Sequence, residues 1–207
     1  MMTVLRFIAV LIAVMATTPL CGFAREVNFA KVKFEAGKSI AFVCDGSRWQ
    51  KDKIDDLADE LNVTVQALAP DVQVAILFFA DDKVFGPNQG RPLPATDENK
   101  AAIRSWLRRV KLGREPTPLA GINQAFAAKP DTLVFISDGE FRTFAEVIDR
   151  VAELNKAKAT KVQTIGFFAT AKQDDSRSFV EFMKKLAEDN GGRFHAVYAD
   201  ELKHTPR

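Results

Sequence analysis

Oxygen-bearing side chains stand where two apolar runs end. Asp45, Gly46 and Ser47 follow residues 40–44 (IAFVC), and Ser137, Asp138 and Gly139 close residues 131–137 (DTLVFIS). Thr117 sits in a third loop, residues 113–119 (GREPTPL), just before a helical pattern. Asp45, Ser47, Thr117 and Asp138 offer only oxygen ligands. Such a set suits a hard cation such as Mg²⁺ or Mn²⁺, which keeps water in its remaining positions. The plainer account of the same residues is helix capping and turn chemistry, which Asp, Ser and Thr perform routinely. Trp49 lies two positions beyond Ser47 and has an N–H donor but no acceptor, so it cannot ligate a cation. Arg48 brings a permanent charge. A guanidinium placed between Asp45 and Asp138 would replace a metal with an ion pair.

The elements that must position these residues alternate. The strand at 40–44 has little polar alternation, as expected of one covered on both faces. Ile54, Leu57, Leu61, Val65 and Leu68 follow at helical spacing, and Pro70 ends the run. Residues 72–80 (VQVAILFFA) form a second strand, and Asp81-Asp82-Lys83 turns into a short third strand at 84–85. Residues 86–94 read as loop. Thr96 or Asp97 caps a helix carrying Ile103, Trp106, Leu107 and Val110. A short helix spans 119–128, and a strand spans 131–137. A helix carries Phe144, Val147, Ile148, Val151 and Leu154. A strand at 162–168 precedes a helix through Phe179, Phe182, Met183 and Leu186, closed by Gly191-Gly192. Residues 194–198 complete the sheet at its edge. The order predicts an α/β fold: a doubly wound, mostly parallel six-stranded sheet with one short antiparallel strand and helices on both faces. Ligands of such sheets bind beyond the carboxyl ends of the strands, where strand order reverses.

With that order and those motifs, the chain resembles a von Willebrand factor A domain, a Rossmann-like fold. The family carries a metal-ion-dependent adhesion site of pattern Asp-x-Ser-x-Ser after its first strand, a later Thr, and an Asp-Gly after its fourth strand. Asp45 and Ser47, Thr117, and Asp138-Gly139 match it. Trp49 stands where the third position calls for Ser, so the site is degenerate. The resemblance implies that Asp45, Ser47, Thr117 and Asp138 are the metal positions. It also implies a non-catalytic module that binds a protein partner, with an acidic side chain of that partner completing the cation's coordination.

The 207 residues suit one ordinary domain, and 47% of them are apolar, including 17 Phe. The 29 basic and 27 acidic residues nearly balance, which argues against nucleic acid as a partner. Arg6, the apolar run at 7–16 and the small residues around Gly22-Phe23-Ala24 form the pattern of a signal peptide. The run is shorter than the ~20 residues a membrane span needs. The expected organisation is a signal peptide (1–24), a lead-in (25–35), the domain (36–200) and a tail (201–207), secreted or periplasmic, with no membrane span after cleavage. Cleavage removes Cys21 and leaves Cys44 as an unpaired, buried thiol. His195 reads as an edge-strand residue. Asn62-Val63-Thr64 matches a glycosylation sequon but falls within a helix.

The alternative is a Mg²⁺-dependent hydrolase of the haloacid dehalogenase type, built on Asp45, Ser137 and Asp174-Asp175. Ser47 stands where that chemistry needs a second Asp as general acid, and no other acid–base pair is evident. Glycine spacing for a dinucleotide and a P-loop are both missing.

Overall fold

The computed structural model describes residues 25–171 and 177–202. The signal-peptide pattern, Asp174-Asp175 and His204 lie outside the described residues.

Strands β3 (Ser39–Asp45), β4 (Gln73–Ala80), β7 (Thr132–Ser137), β8 (Lys161–Phe168) and β9 (Phe194–Tyr198) are parallel neighbours in the order β4-β3-β7-β8-β9. Two short strands pair antiparallel with β4: β5 (Lys83–Phe85) and β6 (Leu93–Pro94). β6 lies in the stretch expected to be loop and brings the sheet to seven strands. Asp81 and Asp82 both have positive φ, 51° and 56°, in the two-residue turn that leads into β5. Asp tolerates that conformation better than most residues, and the turn's twist suits a hairpin.

Alternate residues of each strand enter opposite cores, which is why the strands read as continuous apolar runs. Ile40, Phe42, Cys44, Val74, Ile76 and Phe78 face one layer. There they meet α1 (Ile54–Ala67) through Leu57, Leu61 and Val65, and α2 (Asp97–Leu107) through Ile103 and Leu107. Ala41, Val43, Leu77, Phe79 and Phe135 face the other layer. That layer is built from α3 (Pro118–Ala127), α4 (Phe144–Leu154) and α5 (Arg177–Glu188). Trp106 is partly buried against Phe78 and Phe85, with centroids 5.7 and 6.4 Å away.

Residues 25–35, read as a lead-in, fold as an antiparallel hairpin of β1 (Arg25–Phe29) and β2 (Val32–Ala36). Val27, Phe29 and Phe34 are buried in the α1 layer, with Phe29 against Phe42 and Phe167. Its turn residues, Ala30 and Lys31, have φ of 49° and 65°. Neither is Asn, Asp or Gly, so the usual hairpin signal is missing. Tertiary contact supplies what the turn chemistry lacks: Ala30 N–H donates to Glu60 Oε2 of α1 at 2.9 Å, in a buried position.

Candidate functional site

β3 sits between β4 and β7, so the chain leaves it first to one side and later to the other. The carboxyl ends of β3 and β7 therefore border the switch point, and the loops after them carry the predicted residues.

Asp45 is fully buried. Ser47 N–H donates to its Oδ1 at 2.8 Å, and the Ser137 hydroxyl donates to its Oδ2 at 3.1 Å. Ser137 Oγ in turn accepts from Gly139 N–H at 3.1 Å. Asp45 thus ties the end of β3 to the end of β7. Burial, and then the charge of Asp138, push its carboxyl pKa up to about 6, although the Ser47 and Ser137 donors pull the other way. Cys44 is buried beside it. Burial, and then the Asp45 charge, push its thiol well above the ordinary range, as in an inert structural cysteine.

Asp138 is not open to a metal. Its Oδ2 accepts from Lys53 Nζ at 2.5 Å, with the two side chains only 4% and 7% exposed. Lys53 is the residue just before α1. It reaches that position through a one-turn 3₁₀ helix, Arg48–Gln50, and the bonds that continue it, with Lys53 N–H donating to Gln50 O at 2.9 Å. Gly139, after Asp138, has φ +89°, and an added Cβ would meet the Phe179 ring at 2.4 Å. The turn therefore requires glycine on two counts.

Thr117 lies before α3, and its hydroxyl accepts from Asp82 N–H at 2.6 Å. Among the described residues it makes no hydrogen bond to Asp45 or Asp138. The loop that carries it is strapped to its neighbours. Asp81 accepts from the N–H groups of Glu115 and Arg114, both at 3.0 Å, and these donors hold its carboxyl below the ordinary range. Gly113 N–H donates to Gly46 O at 2.8 Å.

Arg48, whose guanidinium could have stood between the two carboxylates, does not enter the site. Arg48 pairs with Glu115 at 3.1 Å on the surface, and its guanidinium carbon lies 5.0 Å from the Trp49 ring centroid. Lys53 takes the inner position instead. Lysine is not a preferred residue at the positive end of a helix dipole, where Ser, Thr, Asp or Asn is favoured, but on its own that departure does not distinguish an inward lysine from solvated surface. Trp49 does not pack beneath α1 as core: it is 45% exposed at the rim. Thr64 of the sequon is buried and donates to Asn28 O at 2.9 Å, so that hydroxyl is not free for recognition.

The residues present do not fit a divalent cation while Lys53 holds Asp138, because a second positive charge would face the ammonium directly. Yet oxygen atoms without partners remain around it. Ser47 Oγ is buried without a hydrogen-bond partner, as are both amide ends of Gln50 and, beyond Asp138, Thr143 Oγ1. Among the described residues no group of three or more His, Cys, Asp or Glu is gathered for a metal. The hydrolase alternative gains nothing here. Asp45 is enclosed and both its oxygens accept hydrogen bonds, and Asp174-Asp175 lies outside the described residues.

The sequence matches no family model and no curated protein. Solved structures are more informative. A von Willebrand factor type A protein from Catenulispora acidiphila superposes with a TM-score of 0.64 at 16% identity, over 87% of this chain and 44% of that one. The SpRpn10 VWA domain gives 0.55 at 9% identity, over 79% and 92%. The D319A mutant of the PilB minor pilin from Streptococcus sanguinis gives 0.55 at 11% identity, over 90% and 60%. This chain spans less than half the length of the first of these and 60% of the pilin. At such identities the likeness is one of architecture, and it agrees with the mostly parallel sheet flanked by helices. The chain has the fold of a von Willebrand factor A domain.

Proposed function

We propose that the protein is an exported, non-catalytic protein-binding module whose contact surface is the carboxyl edge of the sheet around Trp49. The observation that carries this reading is Trp49 itself. It is a large aromatic left 45% exposed at the end of β3, with Arg48 stacked on its ring. Trp and Arg are the side chains most enriched among residues that dominate binding energy. Arg48 is half-exposed, and among the described residues it pairs with a similarly exposed Glu115. An acidic side chain of a partner can displace Glu115 at little cost, since exposed pairs contribute about 0–1 kcal/mol. The rim is also stiff, because backbone bonds join the loops after β3, β4 and α2, so little ordering is needed on binding. Absence of turnover rests on both strand-end carboxylates being enclosed and already engaged, Asp45 by hydrogen bonds from Ser47 and Ser137 and Asp138 by Lys53. No helix among the described residues is long and apolar enough to cross a membrane.

The test is a side-by-side affinity purification from the native host with wild-type and Trp49→Ala baits, followed by titration of the partner so identified. The variant should keep its melting temperature and bind about 30-fold more weakly, the equivalent of ~2 kcal/mol at a dominant contact. Equal recovery of every captured protein by both baits would remove Trp49 from the interface and with it this reading.

A further inference from the structure

We infer that Lys53 is a built-in cation: its ammonium occupies the position a divalent metal would take against Asp138, so the strand-end site is complete without metal. The inference concerns the interior of the site and does not depend on Trp49 contacting a partner.

Three observations converge. The Lys53–Asp138 pair, at 2.5 Å, is almost wholly removed from solvent, unlike the other ion pairs of the described residues, whose side chains are about a third exposed or more. A buried ion pair is costly to assemble, and it is kept where geometry and surrounding hydrogen bonds hold it. Second, the lysine comes from the amino end of α1, where its charge opposes the helix dipole and no side chain caps the helix. Local helix chemistry therefore gives no reason for a lysine there, whereas the neighbouring carboxylates do. Third, other oxygens surround the pair. Asp45 and Asp138 are close enough for one charge to raise the pKa of the other, and Ser47 Oγ is buried without a partner. An ammonium held on Asp138 within a set of strand-end oxygens is the arrangement expected when a metal's charge is supplied by the chain itself. The ammonium also offers three donors and cannot dissociate as a metal ion can.

The experiment is Mn²⁺ binding to the full chain, followed by electron paramagnetic resonance of free Mn²⁺ and by thermal melting with and without a chelator. Wild type should bind no Mn²⁺ in the low-millimolar range, and its melting temperature should be the same in chelator and in Mn²⁺. Lys53→Ala removes the ammonium and exposes the oxygen set. It should bind Mn²⁺ saturably, with a melting temperature that rises with metal and falls back in chelator, and Asp138→Asn in that background should abolish both effects. If Lys53→Ala is unfolded in chelator, Mn²⁺ should restore its native circular dichroism, and Lys53→Met, which keeps the stem's volume, supplies a second background. Saturable Mn²⁺ binding by wild type that is lost in Asp138→Asn would overturn the inference. So would folded Lys53→Ala and Lys53→Met proteins that bind no Mn²⁺, since the lysine would then not stand in a cation's place.

Discussion

The ionisation of Asp45 sets a specific pH dependence. A free Asp carboxyl titrates near 3.8, whereas in the fold this one titrates at about 6. Between those values the folded state binds a proton that the unfolded chain does not. The contribution of this group to stability is therefore greatest below about pH 4 and is lost as pH rises through 6. The difference is on the order of 2–3 kcal/mol, from the energy equivalent of a pKa shift. The groups that face it are Cys44 on its own strand and Asp138 beyond β7, whose charge is countered by Lys53 from the start of α1. Urea midpoints at pH 4.5 and 7.5 should show wild type losing stability on alkalinisation relative to Asp45→Asn, in which this slope should vanish. Identical slopes in the two proteins would show that Asp45 ionises normally. The carboxylates and Ser47 were legible in the sequence because each follows an apolar run, and a strand end at a switch point is a predictable place. Lys53 was not, because a lysine one residue ahead of a helix looks like solvated surface. Only the path of the backbone through Arg48–Gln50 turns it inward. The direction of Arg48 could not be read either: its charge has the right sign for the site, but its position in the turn faces Glu115.

At the scale of elements, periodicity located the helices and the parallel strands to within a few residues, since each strand carries apolar residues on both faces and each helix on one. It failed on β1, β2 and β6. Residues 93–94 are too short to show any pattern, and Pro94 argues against a strand anywhere but an edge. The β1–β2 hairpin has good alternation, with Val27, Phe29 and Phe34 inward, yet its turn is Ala30-Lys31 and carries no turn signal. Glu60 explains how that turn survives. Glu60→Ala removes a buried, charge-assisted acceptor and strands the Ala30 N–H, so it should cost about 2 kcal/mol in chemical denaturation. Phe29→Ala, which empties a fully buried ring site, should cost about 3–5 kcal/mol. If Phe29→Ala were neutral, the hairpin would be an ornament on the surface and not a wall of the core.

For the whole molecule, the sequence pattern before Arg25 makes a further prediction: protein isolated from the native host should begin near Arg25 on amino-terminal sequencing. Soluble protein that retains Met1 would contradict export. Arg25 pairs with Asp71 at 2.7 Å, so a chain starting there is anchored from its first residues. The hairpin that follows reaches across the fold. Its turn meets the last described segment through Lys31 Nζ, which donates to Glu201 O at 3.0 Å, and Phe29 packs on Phe167 of β8. That arrangement fixes an order in time. A ribosome delivers Phe29 and Phe34 first and the strands that shelter them last, so the first-made hairpin has no finished wall to lean on until synthesis is nearly over. Contacts between such distant parts of a chain also close slowly once they become possible. The nascent polypeptide thus cannot close its core around Phe29 until β8 has been made.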